Sequence, residues 1–179
     1  AQFGKGEGLF GLGQFEKALA SFEKAIVINR QAPEYWFGKG ESLRGLGQFS
    51  KAADGYGEAI GLDANNAAAW FGRGECLRNL GRHDEAVPDF EKAIKLEPKN
   101  AAFLDSLGWV LYKLNQPAEA LPYVLKSVAL SKEPDATLLD HLGDIYQALQ
   151  QPEKARDAGH NSFKIHPYTQ LATELSHRR

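Results

Sequence analysis

Apolar and small residues recur along the chain at steps of three and four: Trp36, Gly40 and Leu43 in one run, then Ala52, Tyr56, Ala59 and Ile60 in the next. Such spacing puts them on one face of an α-helix, and the break between the runs makes two helices rather than one. The break reads Gly-Gln-Phe, at Gly13 to Phe15 and again at Gly47 to Phe49. Glycine there reaches the left-handed conformation that ends a helix, so the spacing predicts a short turn between antiparallel neighbours. Pro98 and Pro167 stand just after second helices, where proline stops the helix and resets the chain.

The pattern then repeats. Trp36 returns as Trp70, and Gly6 returns as Gly40, Gly74 and Gly108, each 34 residues on, with Gly143 following after 35. Leu9, Leu43, Leu77 and Leu111 keep the same step, as do Ala18, Ala52, Ala86 and Ala120, whose fifth member, Ala155, again arrives one residue late. One residue is therefore inserted near Glu133. A second-helix column of Phe22, Tyr56, Phe90 and Val124 holds the large side chains, and Ala25, Ala59, Ala93, Ser127 and Ser162 the small ones. A fixed period of this length is the signature of stacked helical hairpins. It predicts a single all-α array over 1–179: a partial first unit at 1–32, units at 33–66, 67–100, 101–135 and 136–169, and the start of a capping helix at 170–179, where Leu171 and Leu175 lie four apart.

Trp36, Gly40, Leu43, Gly47, Ala52, Tyr56, Ala59 and their equivalents resemble the tetratricopeptide repeat family over nearly the whole chain. The unit at 67–100 fits best. The unit at 101–135 has Leu104 where tryptophan is expected and Asn115 for the turn glycine, and in the last unit Gly159 replaces the bulky aromatic, which predicts a hole or docking notch. The segments Leu104 to Leu111 and Leu139 to Tyr146 look like bacterial members, and a chain without methionine reads as a piece of a longer one. The resemblance implies an all-α, right-handed superhelical array of about five antiparallel helix pairs, an α–α solenoid whose first helices line a concave groove. It also implies a scaffold that binds proteins and is not itself an enzyme.

If the first helices face inward, the residues beside their packing stripe are the candidate contacts: Phe37, Glu41 and Arg44; Phe71, Glu75 and Arg78; Asp105, Trp109 and Tyr112; and Asp144. Phe3, Glu7 and Phe10 hold the same places in the first unit, and Asp140 and Gln147 flank Asp144 in the last. Aromatic residues on an exposed face often mark a binding surface. The glycine directly after each Phe (Gly4, Gly38, Gly72) either bares the backbone for a ligand or eases helix packing. The acidic rung of Glu7, Glu41, Glu75, Asp105 and Asp144 favours a protein or peptide partner with basic and apolar groups. Glu41 and Glu75, three residues from Arg44 and Arg78, have internal partners within reach as well. The groove positions that clamp acidic chain ends in cochaperones of the family hold Phe, Glu and Gly here, so that specificity is not expected. A structural module that self-associates end to end, making homo-oligomers through the array ends, is the alternative; the recognition arm of a larger enzyme is another.

The remaining chemistry narrows the field. A net charge of −2 gives no basic excess for nucleic acid. The single cysteine, Cys76, excludes an internal disulfide framework and a thiolate-rich zinc site. No apolar run is long enough to cross a membrane, so no membrane insertion is expected, and the compartment, cytoplasmic or periplasmic, stays open. The glycines from Gly4 to Gly13 lack the preceding strand and following Lys-Ser or Lys-Thr of a phosphate loop, so no nucleotide or other cofactor is expected. His83 takes the place of Phe15 and Phe49 at the turn and fills structure. Asp140, His141 and Asp144 cluster on one helix without further ligands in the pattern, and His160, His166 and His177 fit no mechanism. Neither a catalytic nor a metal site is expected.

Overall fold

The computed structural model describes residues 2–159, and among these the secondary structure is wholly helical. Ten helices follow one another as five hairpins: α1 (Gln2–Gly11) and α2 (Phe15–Ile28), α3 (Pro33–Gly45) and α4 (Phe49–Leu62), α5 (Ala67–Asn79) and α6 (His83–Leu96), α7 (Ala101–Lys113) and α8 (Pro117–Leu130), α9 (Ala136–Ala148) and α10 (Pro152–Gly159). The chain forms two compact units, Ala1–Leu96 and Glu97–Arg179. The expected capping helix lies outside the described residues, and the notch expected at Gly159 depends on them.

Every hairpin turns by the same device. Gly13, Gly47 and Gly81 hold φ near +70°, and Asn115 and Gln150 take the same left-handed conformation at 60° and 58° without being glycine. The residue after each donates its N–H back to the helix: Gln14 to Leu9, Gln48 to Leu43, Arg82 to Leu77, Gln116 to Leu111 and Gln151 to Tyr146, all at 2.9 Å. These bonds satisfy carbonyls the helix end would orphan. The next pair starts with equal economy. Asn66, Asn100 and Asp135 accept from the backbone N–H groups of Ala69, Phe103 and Leu138 and so cap α5, α7 and α9, whereas α3 opens on Pro33. The one-residue insertion sits in the loop 131–135 before α9.

In the first unit the second-helix rings of the first two pairs each sit in a socket made by two glycines, while Phe90 of the third meets Gly74. A methyl group on Gly6 would lie 2.8 Å from the Phe22 ring, and one on Gly38, in the next pair, 2.5 Å from the other side. Tyr56 is held likewise between Gly40 and Gly72, where added methyls would stand 3.0 and 2.6 Å away. Phe22 and Tyr56 are accordingly buried. Gly38 and Gly72 are thus buried packing residues. They seat the ring of the preceding second helix and do not bare backbone to a ligand. In the second unit Val124 takes the ring's place against Gly108, within a core of Leu104, Leu107, Val110, Leu125, Val128, Leu142 and Ile145.

The first helices touch across pairs, α1 with α3 and α3 with α5, while α2 and α4 do not. Hairpins joined along one edge and open along the other leave clefts on the second-helix side. The Trp36 and Trp70 rings line them, each indole N–H bonded to a carbonyl of the loop before its helix, Arg30 at 2.9 Å and Ala64 at 3.0 Å.

Candidate functional site

On α3 and α5 the same triplet recurs on one face. Phe37 is half-buried with its ring edge-on to Tyr56 at 5.7 Å, and Phe71 stands equally far from Phe90. The expected ladder of exposed rings is therefore a row of half-exposed ones, because each ring packs one side on its own second helix. Phe3 does the same against Phe22 at 5.9 Å, and Phe10 against Phe15 at 5.4 Å.

Arginine and glutamate complete each triplet. The Arg78 guanidinium grips the Glu75 carboxylate through two N–H donors, at 3.0 and 2.7 Å. Arg44 donates to Glu41 at 2.8 Å and to the Tyr56 hydroxyl at 3.2 Å, and that hydroxyl donates to Glu41. Burial and the Glu41 carboxylate hold the Tyr56 phenol above its usual range, and the hydrogen bond that Arg44 itself donates to Glu41 raises Arg44. A tyrosine in the packing column thus carries a polar tip to the Glu41–Arg44 pair on the first-helix face, a role that the column of rings did not disclose. These bonds fix each glutamate and arginine in one geometry.

Cys76, fully buried on α5, faces no chemistry of this kind. Burial pushes its thiol up to about 12; Arg44 opposes this and Glu41 and Glu75 add to it. A thiol that titrates higher folded than unfolded contributes stability that is whole below its unfolded value near 9.0 and is lost as the pH climbs toward 12. Tyr56 acts in the same direction at higher pH. The urea midpoint is expected to fall from pH 9 upward, less steeply in Cys76→Ala than in the parent, and equal slopes would show that Cys76 is not the group responsible.

In the second unit the candidates collect into one stacked column. Trp109 lies flat against His141, with centroids 4.0 Å apart and planes 17° apart, and against Tyr112 at 5.1 Å. The Lys113 ammonium stands 4.3 Å from the Trp109 centroid, and His141 Nδ1 lies 2.9 Å from Asp105. Lys113 was not among the sequence's site candidates, and His141 was singled out only with Asp140 and Asp144 on its own helix. Lys113 was legible four residues beyond Trp109; His141, 36 residues after Asp105, is brought there only by packing of α9 on α7. Asp144 is exposed on α9, as is Asp140. The acidic rung is thus largely engaged internally, Glu41 and Glu75 by arginine and Asp105 by histidine. Among the described residues no three His, Cys, Asp or Glu side chains converge as a metal site, and no helix is long and apolar enough to cross a membrane.

A tetratricopeptide repeat family model matches residues 3–66, 37–101 and 79–135. No curated protein matches the sequence. Among solved structures, MamA from Desulfovibrio magneticus RS-1 superposes with a TM-score of 0.82 at 19% identity, covering 99% of this chain and 94% of that one. YrrB, described as a tetratricopeptide protein with an unusual peptide-binding site, gives 0.79 at 20% identity over 98% and 90%. PilF of Pseudomonas aeruginosa gives 0.77 at 22% identity over 88% and 71%. At such identities the likeness is one of fold: an all-α solenoid of helix pairs.

Proposed function

Because the chain belongs to the tetratricopeptide repeat family, we propose that it is a protein-interaction scaffold whose first-helix faces bind a peptide or partner protein and which has no catalytic role of its own. The observation that carries this reading is the repetition of one triplet, Phe37, Glu41 and Arg44 on α3 and Phe71, Glu75 and Arg78 on α5, with its charged groups already locked in place. A half-exposed ring beside a fixed arginine and carboxylate offers an apolar contact and a polar register one hairpin apart, and partners of mixed basic and apolar character fit it. The stacked Trp109 and Tyr112, with Asp105 and Asp144, offer a second contact of the same character in the other unit. Aromatic and arginine side chains are the residue types that carry most interface energy. YrrB's description as peptide-binding accords with a peptide ligand.

The test is capture of partners from a cell extract on the intact chain and on Phe71→Ala/Trp109→Ala, with bound proteins identified by mass spectrometry. Loss of two such anchors is expected to weaken binding at least about thirtyfold, some 2 kcal/mol. Both Phe71 and Trp109 also pack internally, so circular dichroism and a thermal melt must show that the variant is folded. Partners retained equally by the folded variant would refute binding through these faces.

A further inference from the structure

The second-helix side of the first unit carries two clefts at equivalent positions, neither used by the faces described above. One, of about 320 Å³, lies over Trp36 between α2 and α4; the other, of about 780 Å³, lies over Trp70 between α4 and α6. Residues 34 apart recur in both walls: Trp36 and Trp70, Lys39 and Arg73, Leu43 and Leu77. Their charged groups are mostly satisfied. Lys39 pairs with Glu23 at 3.2 Å, Arg73 with Asp89 at 2.6 Å, Arg82 with Glu85 at 2.6 Å, and Lys51 donates to Gln48. Asp54 and Glu58 differ. They stand exposed on α4 on the ridge shared by both clefts, and among the described residues neither has an ion-pair partner, though Asp54 lies within electrostatic reach of Arg82.

We propose that these clefts form a second binding site, for an extended peptide segment with two apolar side chains flanking a lysine or arginine. The apolar groups enter the Trp36 and Trp70 clefts, and the cation between them meets Asp54 and Glu58. The spacing supports this occupant. Packed helices stand roughly 8–10 Å apart; α2 and α4, being out of contact, are more widely set. An extended chain advances roughly 3.3 Å per residue and points every second side chain to the same side, so anchors four residues apart reach neighbouring clefts and leave the middle residue over the ridge. Aromatic-lined grooves are known hosts for extended chains, whose side-chain pockets then set specificity. This site is independent of the first-helix faces, and either can fail alone.

The chain's three tryptophans allow a direct reading. In Trp109→Phe, excited at the red edge where tyrosine does not absorb, emission comes only from Trp36 and Trp70, both at the clefts. The probe is a synthetic peptide built on Leu-Ala-Arg-Ala-Leu, compared with its Leu-Ala-Glu-Ala-Leu counterpart at low salt. A saturable change in emission is expected with the arginine peptide alone. It should weaken about tenfold in Asp54→Lys/Glu58→Lys, whose exposed sites leave folding intact by circular dichroism, and persist in Glu75→Ala/Arg78→Ala. No saturable response at millimolar peptide overturns the proposal, as does an equal response to both peptides or an undiminished one in the reversed-charge variant. Binding lost in Glu75→Ala/Arg78→Ala but kept in the reversed-charge variant places the peptide on the first-helix face and overturns it too.

Discussion

Replacing Arg73 by methionine is expected to destabilise the fold by about 3 kcal/mol, and replacing Asp89 by leucine at the same time is expected to recover most of that loss. Asp89 is almost wholly buried on α6, its side chain 3% exposed, and its two oxygens accept from Arg73 at 2.7 and 2.6 Å. The pair is bidentate, and the Arg73 guanidinium also lies 4.9 Å from the Trp70 ring centroid. Taking the guanidinium away strands a buried carboxylate without its two donors, which costs far more than the pair contributes, because burying both charges already offset much of their attraction. Removing both together takes away the desolvation cost along with the attraction. Urea unfolding of the two single variants and the double variant gives the coupling directly. A double variant as unstable as Arg73→Met would mean that methionine fails for shape and not for charge.

Alanine at Gly38 or Gly72 should destabilise the protein by about 2 kcal/mol, while alanine at Gly8 or Gly61 should stabilise it by about 0.5–1 kcal/mol. All four glycines lie within helices, where alanine is intrinsically the better residue. Space decides the sign. A methyl on Gly38 would stand 2.5 Å from Phe22 and one on Gly72 2.6 Å from Tyr56, but Gly8 and Gly61 have nothing within 4 Å. The rings cannot retreat, since Gly6 and Gly40 close the socket from behind. Thermal melts of the four variants should fall on both sides of the parent, and Phe22→Leu should recover part of the loss in Gly38→Ala. Four shifts of one sign would show that the rings are not clamped as described.

Helix pairing, the turns and the repeat column were legible in the residues because each depends on local chemistry: a period of three and four, a glycine at the helix end, and one pattern returning. Asn115 shows the margin of that legibility, since its side chain takes the left-handed turn position with little penalty; Gln150, in the same conformation, carries no such signal and is held by the hairpin around it. The candidate faces were legible as stripes, and so were the Glu41–Arg44 and Glu75–Arg78 pairs, because residues three apart on a helix are neighbours in any fold. Contacts across pairs were not. That Gly38 serves Phe22, that the Tyr56 hydroxyl reaches Glu41, that His141 covers Trp109 beside Asp105, and that Trp36 and Trp70 line open clefts all depend on how one helix leans on the next. Local patterns of residues thus define each hairpin and the side chains its faces carry. Which of those faces close on a neighbour and which stay open emerges from packing alone, since the burial of a side chain is fixed by the distance and angle between helices, and those are set by many contacts at once rather than by any local run of residues.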